Sequence, residues 1–433
     1  MNESTLVKVW ETSALPSKWF ERRKKRWERN DELEIYVKKI IDEIREQGDV
    51  ALLGCVKKFD HAELISENLC VSEREIEEAY SKVDEEQISA LKFMKDKVET
   101  FERRLLERVS ITIEDDIKVH VTIRPIQSVG CYVPGGEAMY PSSLIMTVTP
   151  AKVAGVPRVI VCSPPSREGL INPLTLVAAN ICEVDEVYKM GGAHAIAALA
   201  YGTESIKPVL KIVGPGNKFV TMAKLLVSRD IAIDMPAGPS EIIVLADETA
   251  DPRIVAKDLV SQAEHSADNV VGLVTTSNKL VEKIVEEFKK TIPLLRRSKV
   301  IAEALSRHGF IVICKNLDEA IDFTNNFAPE HLEIITEKSM EVANKIISAG
   351  LILVGPYAPV SASDYCIGTN HVLPTSGFGH VFSGLSVLDF VKRVNCVEGS
   401  KKGLLKMKEK IRILAEAENL PNHFLAVEER FKL

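Results

Sequence analysis

No Cys-x-x-Cys pair occurs among the eight cysteines (55, 70, 131, 162, 182, 314, 366 and 396), and Cys131, Cys162, Cys182 and Cys314 sit in apolar runs. Scattered in this way they read as small buried hydrophobes instead of a disulfide framework, which implies a reducing compartment. No window reaches the ~18 uncharged apolar residues of a membrane-spanning helix. The opening Met-Asn-Glu-Ser-Thr lacks a basic stretch leading into an apolar one, so a cytoplasmic protein with no membrane partner is expected. Positive charge is not in excess: 55 Lys and Arg stand against 62 Asp and Glu, a formal net charge of −7. Nothing then drives broad counterion release, which disfavours bulk binding to nucleic acid. Aromatic residues, at 6%, are too sparse for an extended base-stacking surface. Four glutamines, beside abundant Lys, Glu and Ile, match the composition of heat-stable proteins.

What is present is an ordinary globular composition, 45% hydrophobic and 27% charged. At 433 residues the chain exceeds what one core usually organises, so two or more domains are expected. Residues 1–110 read as helical: Ile35, Val37, Ile40, Ile41 and Ile44 recur at helical spacing before Gly48, and 85–108 is a second long amphipathic stretch. The basic run 21–29 behind Trp19 and Phe20 is a candidate nucleic-acid patch, yet a solvated helix face accounts for it better in an acidic protein. From about residue 118, short apolar runs alternate with helices; the candidate strands are 119–123, 158–162, 186–189, 210–213, 241–246, 270–275, 310–313, 332–335 and 351–354. Uninterrupted Val/Ile runs bounded by helices indicate parallel strands covered on both faces. The expected fold is α/β: two doubly wound, incomplete Rossmann-like parallel-sheet domains with a helical N-terminal segment and a helical C-terminal tail. The expected boundaries are 1–115, 116–235, 236–380 and 381–433, with the sheets splitting near Pro236-Ala-Gly-Pro-Ser240.

Three glycine-rich turns open predicted helices in the first α/β unit: Val133-Pro-Gly-Gly136, Gly191-Gly-Ala-His194 and Val213-Gly-Pro-Gly-Asn217. Glycine lets the backbone approach a phosphate, and a helix N-terminus presents free N–H donors with partial positive charge. None of the three is a Gly-x-Gly-x-x-Gly fingerprint, and no Walker lysine follows. Each alone is explained by turn geometry; three at successive strand-to-helix switches favour nucleotide binding by a non-standard route.

The second half carries a different set. Asp251-Pro252 starts a helix whose Val255, Leu259 and Ala263 form an apolar stripe, while Asp258, Ser261, Gln262 and His265 share another face. Gln262 and His265, one turn apart, could reach a single ion, but for that pair alone the surface reading wins because Gln is an uncommon zinc ligand. Glu330-His331, in Phe-Ala-Pro-Glu-His-Leu-Glu, precedes a predicted strand, where the two can work as base and acid. Asp364 lies on a loop after the strand 351–354, and His371 lies in Gly-Thr-Asn-His-Val-Leu-Pro-Thr, too polar and turn-rich for a structural histidine to be the default. In the C-terminal helix, Leu404, Met407, Ile411 and Leu414 form a stripe whose next position is Glu418. A carboxylate there needs a partner if the stripe faces a core, and otherwise marks a frayed, solvated end. His423 follows Asn419-Leu-Pro421, which ends the helix. His61, His120 and His308 read as structural or solvent-facing, and His380 has no partner that the sequence names.

In content, order and spacing these residues resemble histidinol dehydrogenase over essentially the whole chain. The stretch Ile233-Asp-Met-Pro-Ala-Gly-Pro-Ser-Glu-Ile242, continuing to Ser261-Gln-Ala-Glu-His265, is similar to that family's long diagnostic pattern. So are Ala328-Pro-Glu-His-Leu332, Asp364-Tyr365, Gly368-Thr-Asn-His-Val-Leu-Pro-Thr375, Ser383-Gly-Leu-Ser-Val-Leu-Asp-Phe390, Tyr132-Val-Pro-Gly-Gly136 and Tyr140-Pro-Ser-Ser143.

The resemblance implies a zinc enzyme that oxidises L-histidinol to L-histidine, the last steps of histidine biosynthesis, by two hydride transfers to NAD through an aldehyde held in the site. Carried over by position, Gln262, His265, Asp364 and His423 match the zinc ligands, and Glu330 and His331 the catalytic acid–base pair. Ser240, His371 and Glu418 match substrate contacts, alongside the ligands and His331. Tyr132 and Asn217 match positions that contact NAD; His194 stands at a third, where the family usually has glutamine and where a histidine's charge would vary with pH. The resemblance also implies a homodimer in which the tail carrying Glu418 and His423 completes the partner's site. A paralogue acting on another hydroxyl compound, such as a sulfonated propanediol, is disfavoured because Glu418 suits a cationic ammonium substrate. A zinc hydrolase using Glu330 is disfavoured by the three glycine turns, and a purely nucleic-acid-binding role by the overall charge.

Overall fold

The computed structural model describes residues 6–15, 31–109, 111–114, 117–135, 140–235 and 238–432. In chain order its strands are β1 (Lys8–Glu11), β2 (Ile111–Glu114), β3 (Ile117–Pro125), β4 (Val129–Tyr132), β5 (Val159–Ser163), β6 (Glu186–Lys189), β7 (Lys211–Val213), β8 (Ala232–Ile233), β9 (Glu241–Ala246), β10 (Val270–Thr275), β11 (Phe310–Ile313), β12 (His331–Ile335), β13 (Leu351–Val354) and β14 (Val391–Gly399). One sheet has the order β6-β5-β4-β7-β8 and a second β1-β11-β10-β9-β12-β13, and every pairing in both is parallel. In each, the unit's first strand (β4 or β9) is central, the next two step to one side and the last two to the other. That is the doubly wound dinucleotide-binding order without its sixth strand.

Both sheets are covered on both faces, as the Val/Ile runs require. Along β5, Val159 and Val161 point into one core while Ile160 and Cys162 point into another. Along β9, Ile242 and Val244 separate in the same way from Ile243 and Leu245. The helical N-terminal segment has no core of its own. Helix Asp31–Gln47 lays Val37, Ile40, Ile41 and Ile44 on one side of the first sheet, and helix Glu85–Glu107 lays Leu91, Met94 and Val98 on the other. Capping follows the sequence: the Asp251 carboxylate accepts from Arg253 N–H at 2.9 Å ahead of helix Pro252–Ala263.

Several readings change. Residues 8–11 are not helical but form β1, which pairs in parallel with β11 at the edge of the second sheet. Residues 119–123 are not part of a parallel unit: β3 pairs antiparallel with β2 and with β14 from the C-terminal region. The sequence there alternates, Ile117-Lys-Val-His-Val-Thr-Ile-Arg124, which is the mark of a strand with one wet face. β4, the centre of the first sheet, was absent from the candidate strands because Val129-Gly-Cys-Tyr132 is short and interrupted by glycine. Ile35 is exposed and does not belong to its helix's buried stripe. The basic run 21–29 and Gly136 lie outside the described residues. Among those described, no helix is long and apolar enough to cross a membrane.

Gly214 holds the loop after β7 against β4. Its φ is +116°, and a Cβ there would stand 2.1 Å from the Tyr132 carbonyl oxygen. Gly214→Ala is expected to destabilise the protein by about 3 kcal/mol or more, read as a lowered midpoint in denaturant unfolding.

Candidate active site

Two regions gather the candidate residues. At the carboxyl ends of β4 and β7, where the strand order of the first sheet reverses, lies a cleft of about 390 Å³ whose lining includes Phe59, Asp60, Tyr132, His194, Asn217 and Phe219. This is where an open α/β sheet takes its ligand. The Tyr132 hydroxyl accepts from Gly192 N–H at 3.2 Å. Asn217 caps the next helix, its Oδ1 accepting from Phe219 and Val220 N–H at 3.0 and 3.2 Å, which leaves its amide nitrogen free of that duty. His194 is buried, stacked on Phe59 at 5.8 Å, with Nε2 2.9 Å from Asp60. Asp60 also accepts from Gly191 N–H at 3.1 Å, so a residue the sequence reading passed over ties the N-terminal segment to the glycine turn. Its signal was weak: one acid behind Lys57-Lys58-Phe59, with no motif around it.

The second region lies at the amino ends of β9 and β12. Glu330, immediately before β12, is buried, and its Oε2 accepts from Glu241 N–H at 2.6 Å. His331 opens β12; its Nδ1 lies 3.3 Å from the Glu241 carbonyl and 3.6 Å from Glu330 Oε2. Its Nε2 is buried and has no hydrogen-bond partner among the described residues. Burial raises the Glu330 carboxyl, against the pull of His331 beside it. For His331, burial pushes the other way, but the Glu330 carboxylate outweighs it and lifts the imidazole to about 8. The two shifts describe one proton held by the pair.

Asp364 is not on a loop but in the short helix Val360–Tyr365. Its backbone carbonyl is 3.1 Å from His371 Nδ1, and His371 Nε2 is 3.3 Å from Ser143 Oγ. Burial holds His371 below the usual histidine range; Asp364, His331 and His265 all act on it, and Asp364 acts on His331 as well. These groups therefore share one neighbourhood. Buried Gln262 stands one turn before His265 at the end of its helix, with its carbonyl held by the Asn269 side chain at 2.8 Å. Ser240, next to Glu241, accepts from Val270 N–H at 3.0 Å through its backbone.

Glu418 and His423 are not brought to this place. Both are exposed, on the helical pair Lys401–Ala417 and Pro421–Glu429, and Leu414 on the stripe leading to Glu418 is 62% exposed. The stripe faces no core within its own chain. Among the described residues, no group of three or more His, Cys, Asp or Glu is gathered closely enough to hold a metal. His380, without a partner in the sequence reading, lies 3.0 Å from Ser348 Oγ through Nδ1.

A family model described as histidinol dehydrogenase matches residues 23–431. The chain belongs to the histidinol dehydrogenase family. It is 47% identical over 417 residues to a histidinol dehydrogenase of Clostridium acetobutylicum, covering 96% of each chain. To that of Methanocaldococcus jannaschii it is 44% identical, covering 92% of each. The crystal structure of histidinol dehydrogenase from Elizabethkingia anophelis superposes with a TM-score of 0.93 at 36% identity, covering 99% of this chain and 98% of that one. As in any dehydrogenase of this family, an alcohol must lose a proton as it loses hydride. A base at His331 must shed its own proton before it takes another, so turnover that runs through His331 is expected to rise with pH through about 8. Initial rates across the neutral to alkaline range, at saturating substrate, check this.

Proposed function

We propose that the chain oxidises L-histidinol to L-histidine through L-histidinaldehyde, with zinc and two NAD, as a homodimer with shared sites. The observation that carries this reading is the buried Glu330–His331 pair, with an unpartnered Nε2, beside Asp364 and His371. The donors fit the metal: Gln262, His265 and Asp364 supply an amide, an imidazole and a carboxylate, and His423 of the partner subunit would complete them. The cleft holding Tyr132, His194 and Asn217 fits a dinucleotide, with its glycine turns and helix N-termini. When bound, zinc orients the substrate's nitrogens and NAD accepts hydride.

The chain's own residues do the proton chemistry. Neutral His331 keeps its Nδ1 proton on the Glu241 carbonyl, so the Nε2 lone pair points inward and takes the alcohol proton. Glu330, kept basic by burial, draws a proton from water for its attack on the aldehyde, giving the hydrate that the second oxidation consumes. His371 and Ser240 line the substrate, and Glu418 of the partner subunit would meet its ammonium group. The exposed Leu405, Leu414 and Leu425 on the tail helices support a partner, since these apolar side chains have no cover in one chain.

The test is NADH formed per mole of L-histidinol at completion, before and after chelation and zinc return. Two equivalents, lost on chelation and restored, are expected; one would remove the second oxidation, and none would redirect the reading to a paralogous substrate. Glu330→Gln is expected to slow aldehyde oxidation about 10²–10⁴-fold while sparing the first step; equal losses would remove its role. Glu330→Gln and His423→Ala dimers, dissociated and mixed in equal amounts, are expected to regain about a quarter of the wild-type rate of histidine formation, because half the dimers carry one intact site.

A further inference from the structure

Two carboxyl groups, Glu333 buried and Asp258 half-buried, stand one step behind the site and take no part in the chemistry above. Glu333 is two residues past His331 on β12, so both side chains leave the same face of the sheet. Asp258 lies one turn before Gln262 on helix Pro252–Ala263. Glu333 Oε1 accepts from Val360 N–H at 2.6 Å, and Val360 is one turn before Asp364. Glu333 Oε2 is buried, no donor among the described residues reaches it, and the carboxyl group that bears on it is that of Asp258. Two carboxylates cannot face each other out of water with both ionised; one proton between them turns the repulsion into a hydrogen bond. Burial raises both groups, and Asp258 raises Glu333 further. Besides each other, the charged group acting on the pair is His331, on β12, while helix Val360–Tyr365 contributes only its N–H.

We propose that the Asp258–Glu333 carboxyl pair is the positioning device of the active site. It ties the helix carrying Gln262, the strand carrying His331 and the helix carrying Asp364 at one point, a single turn or strand step from each. This inference rests on the reading in which those residues act together on the substrate. A shift of any of the three elements at the pair would be passed to a residue of the site almost undiminished, since a helical turn or a strand step is rigid.

The experiment compares Asp258→Asn with Asp258→Ala in the full-length protein. The asparagine amide can donate to the Glu333 carboxylate, so that variant is expected to stay within about twofold of wild type in KM and kcat for histidinol. The alanine variant, which leaves Glu333 buried alone, is expected to raise KM about tenfold or more and to yield zinc to a chelator about tenfold faster. Amide hydrogen exchange across 252–265 and 360–366 is expected to quicken in the alanine variant and not in the asparagine one. Should Asp258→Ala fail to fold, Glu333→Asp, which keeps the carboxyl but shortens its reach, is expected to behave as the alanine variant does. Asparagine and alanine variants that behave alike, or exchange unchanged in both, would overturn the proposal. Wild-type protein that leaves histidinol unoxidised would overturn the functional reading instead, and the exchange comparison would still judge the pair.

Discussion

Glu330 lies against Glu241 because β9 and β12 run parallel in register, His331 opposite Ile242, and the site is built out from that pairing. The first backbone N–H of β9 holds the Glu330 carboxylate, and the carbonyl of the same residue holds His331 Nδ1. The backbone of one residue thus fixes both Glu330 and His331. Ligands of open α/β sheets usually sit at the carboxyl ends of the strands, and the cleft of the first sheet lies there. In the second sheet Glu330 and His331 lie at the amino ends, where strand N–H groups are free to steady an anionic side chain away from water.

The two halves handle buried charge differently. In the first, opposite charges pin the loops of the cleft: Lys224 donates to the Gly214 carbonyl at 2.9 Å and pairs with Asp234, which accepts from Gly214 N–H at 2.7 Å. Removing one partner of such a pair leaves an uncompensated buried charge, which costs about 3–5 kcal/mol. Asp60 holds the glycine turn before the next helix through hydrogen bonds with Gly191 N–H and His194 Nε2. In the second half burial raises the carboxyl groups of Glu330 and Glu333, which have no lysine or arginine beside them.

The tail completes this division. β14 locks it to the body through nine residues paired with β3, so the helices beyond it leave from a fixed base. Past that anchor, apolar side chains and the candidates Glu418 and His423 face outward. A segment held at its root and uncovered at its end has the form of an arm that reaches another surface.

The sequence by itself determined the α/β class, most strands of both parallel sheets and the capped helix that carries Gln262, because periodicity and caps are local. Its quoted motifs also carried the family. Local pattern could not reveal that β1 crosses to the second sheet, that β3 and β14 pair over more than 250 residues of chain, or that Glu418 lies at the exposed end of its stripe. Nor could it show Asp60 behind His194, or Glu333 against Asp258, since each pair joins residues far apart in the chain that carry no shared motif. Those contacts exist only once the sheets are stacked and the helices laid over them, and it is burial among those layers that turns ordinary acids and imidazoles into partners.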